Sequence, residues 1–222
     1  MPNLNVIKTS VQMEEMFEDI KLLDYLSQKS QWPERGKSIV AQYNQECILL
    51  YQAFCPAIAN AAILHQDFVT NNPGFDPGRM TWVKPNFLWM MFRSDWAQKK
   101  NQEKILAFWV NLNWFTTCLS EAKLSGRDKN CKSSPVVVQW DPDHTPGGGK
   151  NSLRRDIQIG LRKEKALEWS LGICGPAIKK ILDLTPLVHS SNNSHKQSNN
   201  FLMPEEKYFE YYSESIDLRL LT

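Results

Sequence analysis

Residues 136–162, VVVQWDPDHTPGGGKNSLRRDIQIGLR, decide the fold class. The run 136–140 has three β-branched residues in a row, which is typical of a central strand. Residues 141–152 are polar and contain three consecutive glycines, so they predict a loop. Residues 157–162 fit a strand or a helix, and both alternatives stay open. The stretch therefore predicts a buried strand, a glycine loop and a second regular element.

Outward from this stretch, strands and helices mix without strict βαβ alternation. Residues 38–43 and 47–54 form a predicted hairpin, because a short polar turn separates two β-like runs. Further strands are predicted at 79–82, 105–111, 178–184 and 207–212, and helices at 9–28, 56–68, 85–92, 114–124 and 163–170. This order predicts an α+β fold, a single domain with a mainly antiparallel sheet, continuous or split, and flanking helices.

The chain length predicts one domain with a flexible segment near its C-terminal end. Residues 1–188 are predicted to form a single globular α+β domain that begins with an N-terminal helix. Residues 189–202 are polar and low in complexity, which predicts a flexible loop. Residues 203–222 are predicted to return to the domain.

The charge distribution predicts an anionic partner. The net charge is only +2, but residues 79–162 contain 14 Lys and Arg against 7 Asp and Glu. A basic middle between acidic flanks favours an anionic small molecule or a nucleic acid. The alternative is a solvated, lysine-rich surface.

The compartment is predicted from the cysteines and the N-terminus. The five cysteines are odd in number and form no C-x-x-C pair, as expected of reduced thiols. The first residues lack a basic flank with an apolar core, and no run approaches about 20 apolar residues. We therefore expect a cytoplasmic protein, with the nucleus as the alternative, and no membrane partner.

A candidate catalytic group follows the predicted central strand. Asp141, Asp143 and His144 stand where a rigid element meets a glycine loop. His144 is suited to general acid–base chemistry if an aspartate orients it, and the two carboxylates would suit one Mg²⁺. The alternative is that Asp141 caps a turn while the other two are solvated. A metal is the weaker interpretation, because these ligands are too few for a distinctive site.

Two sets of cations are candidate phosphate ligands. The first set is Arg154, Arg155 and Arg162, whose planar guanidinium groups match phosphate oxygens in pairs. The alternative is that they form ion pairs with neighbouring acids such as Asp156. The second set is Arg79, Lys84 and Arg93, which frame the apolar segment 85–92.

Three uncharged side chains complete the candidate site. Trp82 is suited to stacking on a nucleobase. Tyr43 and Gln52 lie on the predicted hairpin, where they would grip a ribose or an amide. The alternative is that both satisfy buried backbone groups.

Four strings resemble one protein family: IVAQYNQECILLYQAFCPAIANAAILHQ, RMTWVKPNFLWMMFRSDW, SPVVVQWDPDH and RRDIQIGLR. They resemble the family known as domain of unknown function 4291, over residues 39–183. The resemblance implies a compact domain of about this size and brings no substrate or catalytic residue.

The order of elements also resembles, more distantly, the ADP-ribosyltransferase superfamily. That resemblance implies NAD bound in the cleft of a split antiparallel sheet, and it rests on fold analogy. Where that superfamily has Arg or His in its first strand, this chain has Gln42 and Tyr43.

Three functional hypotheses follow. The first is an enzyme that binds a phosphorylated ligand, namely a nucleotide, NAD or a nucleic-acid end, and transfers or hydrolyses a group at a ribose or phosphate centre. ADP-ribosyl transfer is its specific form, with NAD as the implied cofactor and Mg²⁺ as the weaker alternative. The second is a non-catalytic nucleic-acid-binding module, and the third is a scaffold without a ligand site.

Overall fold

A computed structural model describes residues 17–126, 131–197 and 201–210, without the side chains of 192–197. The strands are β1 (Leu22–Asp24), β2 (Gly36–Lys37), β3 (Val40–Ala41), β4 (Cys47–Phe54), β5 (Thr81–Val83), β6 (Lys104–Asn111), β7 (Lys123–Leu124), β8 (Val136–His144), β9 (Lys150–Leu161), β10 (Ile178–Asp183), β11 (Leu202–Pro204) and β12 (Lys207–Tyr208). The helices are α1 (Tyr25–Lys29), α2 (Pro56–His65), α3 (Phe87–Ser94), α4 (Leu112–Glu121), α5 (Lys163–Ser170) and α6 (Thr185–Gln197).

Two larger sheets organise these elements. Strands β10, β6 and β4 form an antiparallel sheet in that order. In the second sheet β9 is central. Strand β8 pairs antiparallel with one edge of β9, and β5 (antiparallel) and β2 (parallel) pair with the other edge. Strand β7 pairs parallel with β8. Two short antiparallel ladders, β1 with β11 and β3 with β12, attach the C-terminal segment.

The two sheets meet at Tyr51 of β4 and Lys84, the residue after β5. Tyr51 N–H donates to the Lys84 carbonyl at 2.7 Å, and Lys84 N–H donates to the Tyr51 carbonyl at 3.1 Å. Pro85 follows, and because proline has no N–H the ladder stops there. The predicted α+β fold with mainly antiparallel sheets is therefore confirmed.

The second sheet has an apolar face and a polar face. Along β8 and β9 apolar side chains alternate with polar ones, as a strand with one buried face requires. The apolar side chains enter one hydrophobic core, and they include Val136, Val138, Trp140, Ile157 and Ile159. The polar set on the other side of the two strands includes Gln139, Asp141, Arg154, Asp156 and Gln158.

Helix α3 packs against both sheets, on β4 and β8. Asn86 caps its start, because the Asn86 side chain accepts from Trp89 N–H at 2.7 Å. Phe87, Leu88, Met90 and Met91 are buried in a second core that also contains Leu49 and Tyr51. The helix ends at Ser94, and the next residue, Asp95, has a left-handed backbone (φ 50°). The helix predicted from the apolar run 85–92 is thus present.

Most other predicted elements are found with shifted ends. The predicted helices at 56–68 and 163–170 correspond to α2 and α5, and the predicted strands at 105–111 and 178–184 correspond to β6 and β10. The predicted helix at 114–124 is α4, which ends at Glu121 before β7 begins. The open alternative at 157–162 is settled as a strand, since β9 runs to Leu161.

Of the helix predicted at residues 9–28, the described part is helical only from Tyr25 onward. Residues 22–24 form β1, and among residues 17–29 only α1 is helical. Pairing of β1 with β11 overrides the helical periodicity there. Residues 9–16 of that prediction lie outside the described residues.

The predicted loops are shorter than expected. Strand β8 continues to His144 and β9 begins at Lys150, so the glycine loop spans only 145–149. Where a flexible polar loop was expected at 189–202, α6 extends to Gln197 and β11 begins at Leu202. Residues 198–200 lie outside the described part, as do residues 211–212 of the predicted last strand.

Candidate functional site

A cleft of about 780 Å³ opens where the two sheets and α3 meet. Side chains from β4, β5, α3, β8, β9 and the loop before β6 form its walls. They are Gln52, Ala53, Phe54, Arg79, Trp82, Lys84, Trp89, Met90, Arg93, Asn101, Gln102, Gln139, Asp141 and Gln158. The volume is within the range of small-molecule sites.

Six residues predicted from the sequence lie together in this cleft. They come from four separate elements, and they are Gln52, Arg79, Trp82, Lys84, Arg93 and Asp141. Trp82 and Lys84 share a side of the chain because they are two residues apart in extended backbone. Arg93 reaches the cleft from the last turn of α3.

Lys84 is the unusual residue of the cleft. The residue is only 4% exposed, and its Nζ lies 4.1 Å from the centre of the Trp89 ring. Within the described ranges no carboxylate forms an ion pair with it. Burial lowers the pKa of Lys84 to about 7, although the charge of Asp141 opposes this shift and that of Arg93 adds to it. Near neutral pH a large fraction of the amine is therefore uncharged.

Arg79 and Arg93 supply permanent positive charge at the cleft. Both side chains are exposed, and neither forms an ion pair with another described residue. Asp141 is the acidic member of the lining. An anionic guest would therefore meet two available guanidinium groups.

Three buried polar atoms of the lining have no protein partner among the described residues: Gln52 Oε1, Trp89 Nε1 and Asp141 Oδ2. Gln52 also donates to Thr81 Oγ1 at 2.6 Å, and Gln139 donates to the other oxygen of Asp141 at 2.8 Å. Buried polar atoms are usually hydrogen-bonded, so these three are positions for ligand groups or solvent.

Gly160 of β9 sets the position of Trp82. The two residues are paired across β5 and β9. A Cβ at Gly160 would lie 2.8 Å from Val137 Cγ2 and 3.1 Å from the Trp82 ring. The absence of a side chain therefore lets the indole lie against the strand, with part of its surface open to the cleft.

Arg154 does not contribute to the cleft. It forms a buried ion pair with Asp143, donates to the Pro33 carbonyl at 3.1 Å, and lies 4.9 Å from the centre of the Trp32 ring. Its charge is thus neutralised inside the protein. The structure places Asp143 in this interior cluster and not beside Asp141 in the cleft.

Asp156 and Glu206 are two further acids of the interior cluster. Burial raises the pKa of Asp156 well above its ordinary value, and the negative charge of Asp143 raises it further. As an anion Asp156 has no donor partner in the described residues, whereas its protonated form donates to Asp143. We therefore describe Asp143 as the charged partner of Arg154 and Asp156 as a neutral acid.

Glu206 ties the C-terminal segment to α3. Its carboxylate accepts from Phe87 N–H at 2.5 Å and from the Asn86 side chain at 3.2 Å. Burial raises the pKa of Glu206 well above its ordinary value. The cluster thus holds the start of the helix that carries Trp89 and Arg93.

His144 lies apart from the cleft lining. It is buried and stacks on Phe92, with ring centres 3.7 Å apart. Neither ring nitrogen has a hydrogen-bond partner among the described residues. Burial lowers the pKa of His144, against the opposing effect of Asp143. The structure therefore does not bring His144 together with Arg79 or with the cleft.

The remaining predicted ligands also lie outside the lining. Arg155 is exposed and donates to the Trp140 carbonyl at 3.4 Å. Arg162 donates to the Cys131 carbonyl. Tyr43 donates to the Tyr208 carbonyl at 3.0 Å, so it satisfies a backbone group, as its alternative interpretation expected.

Several residues of the site were missed by sequence reasoning. Gln139 and Gln158 could have been found, because each is a polar residue within an alternating strand pattern. Trp89 was assigned to the core with the rest of its helix. Asn101 and Gln102 stand in a polar loop without any distinguishing signal, and Glu206 is far away in sequence from the elements it joins.

The described part of the chain contains no group of three or more His, Cys, Asp and Glu side chains arranged to hold a metal ion. Its five cysteines are free thiols. Among its helices none has the length and apolar character to cross a membrane.

Comparison with known proteins identifies a family. A search of curated proteins finds no match. The model of the family described as "Domain of unknown function (DUF4291)" matches residues 38–209, which include every strand of the two larger sheets except β2 and every residue of the cleft lining. This chain therefore belongs to the DUF4291 family.

Proposed function

We propose that this protein is an enzyme that binds a phosphorylated ligand in the cleft between its two sheets. One observation supports this most: Arg79, Lys84 and Arg93 converge on one cleft, and none of them has an ion-pair partner in the described residues. Unpaired cations in a concave site favour an anionic guest.

Each wall of the cleft has a role in this proposal. Arg79 and Arg93 bind phosphate oxygens, since guanidinium groups donate in pairs. Trp82 stacks on a base or another flat ring, as its partly open face allows. The amides of Gln139 and Gln158 offer hydrogen bonds to a ribose or base.

The reacting groups are Lys84 and Asp141. Lys84 exchanges a proton near neutral pH, which suits it to general base or nucleophilic work. Asp141 has one oxygen without a protein partner in the part of the chain that is described. These residues take the role that sequence analysis gave to His144. The ligand class remains a nucleotide, NAD or a nucleic-acid end, and the reaction is group transfer or hydrolysis.

A ligand screen with three arginine variants tests the proposal. Thermal shift is measured with ATP, NAD, ADP-ribose and a short oligonucleotide, where a ligand at 100 times its Kd adds about 2.7 kcal/mol of stability. We expect Arg79→Ala and Arg93→Ala each to weaken the ligand about 10- to 100-fold, as the loss of a charged hydrogen bond predicts. Arg155→Ala is the matched control, because Arg155 is exposed and outside the cleft.

The same titration distinguishes a nucleic-acid module. Binding of the oligonucleotide alone, with a steep loss on adding salt and equal weakening by all three arginine variants, would favour that function instead. Absence of any shift with all four ligands would remove the proposal.

A further inference from the structure

We propose that Lys84 is a nucleophile that forms an imine with a phosphorylated aldehyde or ketone, such as an open-chain sugar phosphate. This inference rests on the proposed function, because it takes the cleft as a phosphate site. It adds the chemical class of the substrate and the bond that is made.

The amine of Lys84 is held in place and is not engaged by an acid. Its backbone is fixed by two hydrogen bonds to Tyr51, and Pro85 stiffens the chain after it. Its Nζ lies 4.1 Å from the centre of the Trp89 ring. The lone pair of the neutral amine is therefore presented at a defined point in the cleft, and the pKa of about 7 makes the neutral form abundant.

The surroundings of Nζ favour a carbonyl carbon over a phosphorus atom as the electrophile. Attack on a carbonyl ends in a protonated imine, which is a cation. The face of Trp89 and the carboxylate of Asp141 both stabilise positive charge at this position. Attack on phosphorus would give a phosphoramidate, which has no positive charge on nitrogen and would lose both interactions.

The reaction balances without an oxidant or reductant. The Nζ lone pair forms the C–N bond, and the carbonyl π pair moves to oxygen. Asp141 transfers one amine proton to that oxygen, and one proton from solvent converts the hydroxyl into a departing water. The nitrogen lone pair then forms the C=N bond. Meanwhile Arg79 and Arg93 hold the phosphate of the substrate.

Pyridoxal 5′-phosphate is a suitable probe, because it joins an aldehyde to a phosphate on a flat ring. The full chain is incubated with the probe, reduced with borohydride and mapped by peptide mass spectrometry. We expect labelling of Lys84 at least about 10-fold above that of Lys99 and Lys100, because the amine of Lys84 is largely neutral and lies beside the phosphate-binding arginines, whereas those two lysines are exposed and outside the cleft.

Control arms locate the effect in the cleft. Pyridoxal without phosphate should label Lys84 more slowly, and the Arg79→Ala variant should reduce labelling by the phosphorylated probe to that level. The Lys84→Met variant should lose the adduct. Lys104→Met should leave it unchanged, since Lys104 is ion-paired with Asp183 at 2.8 Å.

The outcomes separate the two proposals. Preferred labelling of Lys84 supports the imine. Binding of pyridoxal 5′-phosphate without preferred labelling of Lys84 overturns the imine and leaves the phosphate-binding cleft. Neither binding nor labelling overturns the imine, and the proposed function then stands or falls on the screen with ATP, NAD, ADP-ribose and the oligonucleotide.

Discussion

At the scale of single residues, the amine of Lys84 has a lowered pKa because of its position in the fold. Burial of the side chain disfavours the charged form of the amine, and the like charge of Arg93 acts in the same direction. Asp141 opposes this effect but does not form an ion pair with the lysine. A lysine in such a position is more often functional than structural, because its burial lowers the stability of the fold.

A pH series with Lys84→Met measures that loss of stability. The folded-state pKa of about 7 lies below the ordinary 10.5, so the unfolded chain binds more protons between these values. The contribution of Lys84 to the free energy of unfolding is therefore highest above pH 10.5, falls by a few kcal/mol as the pH drops to about 7, and is flat below.

Urea unfolding of the parent protein and of Lys84→Met, between about pH 7 and pH 10.5, provides the measurement. Methionine does not titrate, so the difference between the proteins isolates Lys84. We expect Lys84→Met to gain stability over the parent as the pH falls. A difference that stays constant with pH would show that Lys84 is solvated.

At the scale of elements, the pairing of β8 with β9 divides acids between two sites. Asp141 and Asp143 are two residues apart on β8, so they share the polar face with Arg154 and Asp156 but stand at different positions along the strand. Asp141 lines the cleft, whereas Asp143 pairs with Arg154 in the interior. Asp156 shares that interior as a neutral acid.

Two conservative variants test this division. Asp143→Asn should destabilise the protein by about 3–5 kcal/mol, because it leaves a buried guanidinium without its partner. The raised pKa of Asp156 means that its stabilising contribution is complete below pH 3.8 and is lost as the pH rises through the folded-state value. Asp156→Asn should therefore be neutral or stabilising at pH 7. Urea unfolding measures both, and a larger loss for Asp156→Asn than for Asp143→Asn would refute the assignment.

The same strands show what a sequence can reveal and what it cannot. The alternation of Ile157 and Ile159 with polar neighbours is a strand signal of period two, and Asn86 before an apolar run is a helix-cap signal. Alternation places Asp141 and Asp143 on one face, but it does not show which distant segments cover that face, so the interior position of Asp143 beside Arg154 could not be derived.

At the scale of the whole molecule, the site depends on contacts between distant segments. Hydrogen bonds between Tyr51 and Lys84 join the two sheets, and Glu206 attaches the C-terminal segment to α3. Sequence patterns report on neighbouring residues, so they identified Arg79, Lys84 and Arg93, which frame one segment, as one cationic group. They could not show that Arg154 would be neutralised inside the fold while those three stayed available.

The most direct test is an NMR titration of the lysine amines, with and without inorganic pyrophosphate. One amine should titrate near pH 7, its resonance should vanish in Lys84→Met, and added pyrophosphate should raise its pKa, because a bound anion favours the charged amine. Titration of every lysine near the ordinary 10.5, unaffected by pyrophosphate, would contradict a cleft built around a reactive Lys84.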